Sequence, residues 1–283
     1  MASFLTAIQT IVHHYDAVLD GGFAHANRMN AMGVALEAFI TDAFADSFTL
    51  EDAQKRVRYQ SVFSYLGNQN NPPDMMLKKG DAIEVKKLES VGNTIALNSS
   101  YPKSKLFANS PMITSACRTC ENWQEKDLIY AIGTVERKTY LRHLWLIYGD
   151  CFVAEAGVYE RVKRVISAGV HSISDVGFSE TKELGKVKQV DPLGITDLRI
   201  RGMWSIQNPS KVFAKVSPVD VNAEFQLSCL VSEQKFDSFS DQEKNAIYAL
   251  QSNLFSIEDV LIPNPNHPLH DVRAKLIRFK VVS

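Results

Sequence analysis

Between Pro72 and Glu89 the chain reads Pro-Pro-Asp-Met-Met-Leu-Lys-Lys-Gly-Asp-Ala-Ile-Glu-Val-Lys-Lys-Leu-Glu, and no other stretch restricts its fold so strongly. Asp74-Met75-Met76-Leu77 is a short apolar run, and Lys78-Lys79-Gly80-Asp81 carries turn chemistry, with Gly80 free to take a positive φ. Ala82 to Lys86 then alternates apolar and charged residues. The pattern predicts two antiparallel strands joined by a tight turn. Strand side chains alternate between faces, so Ile83 and Val85 point one way and Glu84 and Lys86 the other. Folding back over residues 78–81 brings the Asp74 end of the first strand beside Glu84 and Lys86.

Two carboxylates and a lysine gathered in this way can hold a divalent cation against a phosphodiester. Mg²⁺ takes one or two carboxylates and fills its remaining positions with water and phosphate oxygens. A cation so placed lowers the pKa of a bound water and offsets charge at phosphorus. Asp74 and Glu84 are the candidate ligands, and Lys86 is placed to orient the water, help deprotonate it, or neutralise the phosphate. The tripeptide Glu-x-Lys is weak by itself, because it also begins at Glu136, Glu180 and Glu233. Only the copy at Glu84 follows the chain's one Pro-Asp pair at hairpin distance. An ordinary hairpin with a solvated charged face fits the same letters, so support has to come from elsewhere in the chain.

With nine residues between Asp74 and Glu84, the arrangement resembles the PD-(D/E)xK nuclease superfamily. Type II restriction endonucleases of that superfamily often carry an acid on a helix just upstream, and residues Arg28 to Glu37 look like that element. The segments Leu97–Lys103, Leu144–Asp150, Val190–Thr196 and Leu198–Trp204 are similar to the NgoPII-like group, so the resemblance spans roughly residues 28–204. It implies an α/β fold, a restriction-endonuclease-like mixed β-sheet flanked by helices, with residues 1–283 forming a single catalytic domain. It further implies Mg²⁺-dependent cleavage of double-stranded DNA at a short palindrome, GGCC in that group, leaving 5′-phosphate and 3′-hydroxyl ends. A palindrome calls for a homodimer, because protein symmetry then matches site symmetry. A DNA methyltransferase of the same specificity is expected from a neighbouring gene rather than as a subunit. Two other readings share the same residues: a structure-selective repair or junction nuclease, and a non-catalytic DNA-binding protein.

Glu37 stands between apolar neighbours on the upstream helix, where it can approach the cation directly or through water, or simply face solvent. That helix is predicted from about Asn30, with Met32, Leu36, Phe39, Ile40, Ala43 and Phe44 at helical spacing. A first helix, within residues 1–20, carries Phe4, Ile8, Ile11 and Val12 and is broken by Gly21-Gly22. Ile95–Leu97 reads as an extension of the sheet. The polar loop after it offers Ser99, Ser100 and Lys103 to phosphates. Asp127–Gly133 and Leu141–Tyr148 read as buried strands, and Val158, Val162, Val165 and Ile166 mark a helix after them, flanking the sheet.

Residues 171–235 are less periodic, and DNA-recognition elements are expected there. Arg199 and Arg201 alternate with Leu198 and Ile200, so both share one strand face. Arginine pairs bidentately with guanine O6 and N7, although ion pairing with Asp191 or Asp197 explains the same residues equally well. Ser240-Asp241-Gln242-Glu243 is a capping box ahead of Ile247, Leu250 and Leu254, and Leu276–Val282 alternates like a strand that closes the sheet or joins a dimer interface.

Composition permits this reading without demanding it. A formal charge of −1 gives no global attraction to DNA, so any basic surface has to be local. The chain has no run of 18 apolar residues and no basic-then-apolar leader, so a cytoplasmic location is expected with no membrane partner. Walker-type phosphate loops, Rossmann glycine fingerprints and Gly-x-Ser-x-Gly elbows are missing, which argues against ATP-driven, dinucleotide and serine-hydrolase chemistry. Cys117 and Cys120 form a lone Cys-x-x-Cys; zinc there needs two more ligands, such as His143 and Cys151, and free thiols are the other reading.

Overall fold

A computed structural model describes residues 2–15, 28–68, 71–110, 112–136 and 140–282. The Gly21-Gly22 break and the Met32 side chain therefore lie outside the described residues. Helices α1 (Phe4–His13), α2 (Arg28–Ala45) and α3 (Asp52–Val62) open the fold. α1 starts where Ser3 and Thr6 cap each other: Thr6 N–H donates to the Ser3 hydroxyl at 3.3 Å, and Ser3 N–H to the Thr6 hydroxyl at 2.8 Å. Its row of Phe4, Ile8 and Ile11 is buried, as is the α2 row of Leu36, Phe39, Ile40, Ala43 and Phe44.

Strands β1 (Phe63–Asn68), β2 (Asn71–Leu77) and β3 (Ala82–Leu88) follow as an antiparallel meander. Next come β4 (Ile95–Asn98), β5 (Lys105–Phe107), α4 (Ser115–Thr119) and the long strands β6 (Glu125–Glu136) and β7 (Tyr140–Tyr148). Helices α5 (Gly149–Phe152) and α6 (Ala156–His171) lead to short strands β8 (Gly185–Val187), β9 (Leu198–Ile200) and β10 (Trp204–Ile206). The chain ends through α7 (Pro209–Val212), β11 (Ala223–Ser232), α8 (Glu233–Asp237), α9 (Asp241–Tyr248), β12 (Phe255–Pro263) and β13 (Asp271–Val282).

Among the described residues, nine strands form one mixed sheet in the order β1-β2-β3-β6-β7-β11-β13-β12, with β5 beside the start of β6. The pairs β3–β6 and β7–β11 are parallel. This is the mixed α/β sheet expected from the sequence. β6 and β7 lie at its centre and are buried almost throughout, which is why they read as continuous apolar runs. One face packs with α1, α2 and α9 through Phe4, Leu36, Leu144, Phe225 and Ile247; the other is covered around Tyr130, Trp145, Cys117 and Phe213. The Ser240–Glu243 capping box forms, with Glu243 N–H donating to the Ser240 hydroxyl at 3.3 Å. Among the described residues no helix is long and apolar enough to cross a membrane.

Several elements depart from their sequence reading. β4 does not extend the main sheet; it pairs with β10 in a separate ribbon. β13 does not close the sheet but lies between β11 and the edge strand β12. Part of the irregular-looking 171–235 segment, β11, is a core strand. α6 is a helix, yet none of its residues is buried, and Val158, Val162, Val165 and Ile166 remain exposed. Periodicity fixes which side of a helix is apolar but not which surface meets that side.

Candidate active site

The β2–β3 ladder pairs Met75 with Ile83 and Met76 with Ala82. Beyond Met75 the carboxylate of Asp74 takes over, accepting Val85 N–H at 2.6 Å. The turn is not built as predicted: Lys79, not Gly80, takes the positive φ, at 56°. A Cβ at Gly80 would lie 3.0 Å from the Leu77 Cβ, so a larger residue there would have to move Leu77 by a few tenths of an ångström.

The turn is fastened from behind. Lys126 Nζ donates to the carbonyls of Leu77 at 3.0 Å and Gly80 at 2.6 Å, and pairs with Glu121 at 2.5 Å. Glu121 in turn accepts Lys79 N–H at 2.9 Å. Asp81 accepts the Tyr148 hydroxyl at 2.6 Å and Lys235 Nζ at 2.8 Å, and the same lysine reaches Asp127 at 2.6 Å. The hairpin is thus tied to β6, β7 and α8, all part of or packed on the sheet.

Lys86 Nζ donates to Glu84 Oε1 at 2.5 Å, so the two residues share a face as their spacing requires. Glu84 Oε2 is buried and has no hydrogen-bond partner among the described residues. Asp74 is pushed up to about 8, first by burial and then by the charge of Glu84, against the pull of Lys86 and the Val85 N–H. Burial opposes the charge of Lys86, but Glu84 and Asp74 outweigh it and raise its pKa. An unsatisfied buried carboxylate oxygen costs about 1–3 kcal/mol or more, and two mutually repelling carboxylates add to that. A cation seated between Asp74 and Glu84 removes both penalties, so the donor set fits Mg²⁺, which asks for one or two carboxylates.

Glu37 sits one turn before Thr41 on α2, and the Thr41 hydroxyl lies 3.9 Å from Met75 Sδ. Burial raises the pKa of Glu37, with Lys86 opposing and Glu84 adding to the rise, so it lies within electrostatic reach of the pair. It does not line the cavity.

That cavity has a volume of about 840 Å³. Asp74, Glu84 and Lys86 line it together with Ser99, Ser100 and Lys103 and with Arg199, Arg201 and Trp204. Of the residues chosen from the sequence for catalysis and DNA contact, all but Glu37 line this space. Pairing of β4 with β10 brings the last two groups together, although they are far apart in the chain. Tyr101, Tyr159 and Trp204 reinforce the joint, with Tyr159 ring centroids 5.7 Å from each of the other two. Lys103 is held by its backbone: its N–H donates to the Tyr130 hydroxyl at 2.8 Å, and that hydroxyl donates to the Lys103 carbonyl at 3.0 Å. Its Nζ lies 3.3 Å from the Ser100 hydroxyl, and burial lowers its pKa, with Glu84 opposing and Lys86 adding to the fall.

Both arginines are ion-paired, but with neither acid foreseen. Arg199 donates Nε and Nη2 to Glu183 at 2.9 and 2.6 Å, and Arg201 donates Nε to the same carboxylate at 2.5 Å. Asp191 instead accepts N–H groups of its own turn, and Asp197 pairs with Lys186 at 2.9 Å. Glu183 escaped sequence reading because an acid within the Lys182–Lys188 stretch looks like any solvated residue; Tyr130 escaped because it reads as core.

The zinc set of Cys117, Cys120, His143 and Cys151 is not assembled. His143 lies 3.1 Å from the Ser228 hydroxyl and 3.3 Å from that of Ser210, while Cys117 Sγ faces Met76 Sδ at 3.4 Å. Among the described residues no three or more His, Cys, Asp or Glu side chains gather as a metal set.

Residues 2–263 match the family model described as NgoPII restriction endonuclease. Over 253 residues, covering 89% of this chain and 90% of the relative, the sequence is 46% identical to the Type II restriction enzyme NgoPII of Neisseria gonorrhoeae. No solved structure matches.

Proposed function

The chain belongs to the NgoPII restriction endonuclease family, and from that premise we propose that it is a type II restriction endonuclease that uses Mg²⁺ to cut double-stranded DNA at GGCC. The observation that carries the metal assignment is the buried, partnerless Oε2 of Glu84 beside Asp74, whose pKa is raised to about 8. Asp74 and Glu84 would hold the ion. Bound there, Mg²⁺ supplies a water of lowered pKa and offsets negative charge on the phosphoryl oxygens.

The protein's own part is positioning. Lys86, now bound to Glu84 Oε1, is placed to orient the attacking water once the carboxylate charge is shared. Lys103, with its pKa lowered by burial and Ser99 and Ser100 beside it, faces the phosphate backbone. Glu37 assists through its field. In-line attack of water on phosphorus breaks the P–O3′ bond, and the leaving oxygen takes up a proton, giving 5′-phosphate and 3′-hydroxyl ends. Arg199 and Arg201, about half exposed, are offered to guanines.

One such site serves one strand. The strands of a duplex are antiparallel, so two copies about a dyad would cut both, and a homodimer is proposed. Residues 1–283 then act as a single catalytic domain whose recognition elements lie within 171–235. The enzyme would act in the cytoplasm beside a DNA methyltransferase of the same specificity.

Plasmid DNA incubated with Mg²⁺, with and without EDTA, tests this directly. Discrete fragments whose sequenced ends all fall within GGCC are expected, and EDTA should abolish them. Cleavage only at branched or damaged DNA points to a structure-selective nuclease of the same chemistry. Binding with no cleavage under any divalent ion points to a non-catalytic DNA-binding protein. Sedimentation at micromolar concentration should give twice the 31.7 kDa chain mass.

A further inference from the structure

Glu183 lies two residues before β8, in a segment otherwise rich in lysine. Its backbone is anchored on both sides. Lys163 Nζ, from α6, donates to the Lys182 carbonyl at 2.9 Å, and the Ser167 hydroxyl of the same helix donates to the Leu184 carbonyl at 2.9 Å. Leu184 N–H donates to the Ile200 carbonyl at 3.0 Å, and Glu183 N–H to the Thr181 hydroxyl at 3.1 Å. The Glu183 side chain is 16% exposed, whereas those of Arg199 and Arg201 are 54% and 52% exposed. The carboxylate is therefore the fixed partner and the guanidinium groups are the presented ones.

We propose that Glu183 determines sequence specificity as a positioning residue, by holding Arg199 and Arg201 in the orientation in which they read guanines. Arg199 spends Nε and one N–H of Nη2 on the carboxylate, and Arg201 spends only Nε. Among the described residues the end of each guanidinium takes no further hydrogen bond. Guanine presents O6 and N7 side by side in the major groove, and a pair of N–H groups on one guanidinium edge matches them. A guanidinium is a planar, rigid fork, so fixing one edge aims the other. Because one carboxylate bridges both arginines, it sets their separation as well as their tilt. Without it each long side chain would have to be ordered by the DNA itself, at a cost in rotamer entropy. All three residues line the cavity that also holds Asp74 and Glu84, so an aimed arginine and the cleaved phosphate belong to one bound duplex.

This inference rests on the proposed role of the two arginines, and the experiment separates the two claims. Single-turnover cleavage is measured on a duplex carrying the mapped site and on duplexes with one base pair changed, for wild type, Glu183→Gln, Arg199→Ala and Arg201→Ala. Gln keeps the size of the side chain but turns N–H groups toward N–H groups. The ratio of cognate to one-base-off cleavage should fall roughly tenfold or more in Glu183→Gln, the scale of one bidentate base contact, while the melting temperature stays at the wild-type value. If Glu183→Gln does not fold, Glu183→Asp, which keeps the charge and withdraws it by one methylene, should show the same fall. A ratio that Glu183→Gln leaves unchanged, with cleavage equal everywhere or uniformly faster, overturns the proposal; the second result would make Glu183 a removable cover over the arginines. If both arginine variants keep the wild-type ratio, the reading of the arginines has failed instead.

Discussion

Asp74, Glu84 and Lys86 stand on a hairpin whose turn is gripped from behind by Lys126, Lys235 and Tyr148, whereas Arg199, Arg201 and Trp204 stand on ribbons that lie off the main sheet. The first region is built on strands buried almost throughout. The second, from α6 to β10, has an exposed apolar row on its helix and is tied by ion pairs and an edge-to-face ring pair. The difference follows from the two tasks. Hydrolysis needs charges held to a fraction of an ångström, which only a packed scaffold provides. Recognition needs groups that admit a duplex and release it, and such segments come from the less stable part of a fold.

The contrast is sharpened first at the hairpin. Glu84→Gln should lower single-turnover cleavage by at least ~10²–10³-fold, the scale of removing one preorganised charge at a reacting centre. Duplex affinity should stay within a few-fold by gel shift. Stability should change little, because the substitution removes the repulsion toward Asp74 but also the Lys86 ion pair to Oε1, and the two effects oppose each other.

Next is the scaffold behind the turn. The Lys126 side chain is only 4% exposed and bonds two carbonyls and Glu121. Lys126→Met should cost about 3 kcal/mol in urea unfolding, since it breaks a largely buried ion pair and takes this donor from the Leu77 and Gly80 carbonyls. Arg199→Ala should change unfolding by no more than ~0.5 kcal/mol, yet reduce site discrimination roughly tenfold. An Arg199→Ala protein as unstable as Lys126→Met would erase the distinction between the two regions.

The last test is a pH dependence confined to the hairpin. The folded pKa of Asp74 is raised from 3.8 to about 8, so folding favours its protonated form. Without metal, that stabilisation is fully present below the unfolded pKa and is lost as pH rises through about 8. Mg²⁺ has to displace the proton, so its affinity should climb up to roughly tenfold per pH unit and level off near pH 8, as read by thermal shift against Mg²⁺ concentration. In Glu84→Gln the levelling should move to lower pH, because the repulsion that ranks after burial is removed. Arg199→Ala should leave the curve where it is.

The placing of Asp74, Glu84 and Lys86 was legible because it depends on alternation and one turn within about a dozen residues. The capping box at Ser240 and the buried strands β6 and β7 were legible for the same reason. The turn itself was read correctly in position and wrongly in detail: Lys79 carries the positive φ, and Gly80 sits close against Leu77, a proximity that composition does not reveal. α6 showed its apolar row but not that the row stays exposed.

What the sequence by itself determined is the chemistry available on each element: two acids and a lysine on one hairpin face, serines and a lysine in one loop, two arginines on one strand face. Only the tertiary structure decided that these meet in one cavity, that β4 pairs with β10 instead of the sheet, and that Glu183 captures both arginines. Backbone periodicity carries information across a turn or two. Pairing between segments some 100 residues apart depends on which edges remain open once the core has packed, and the sequence leaves no periodic trace of that choice.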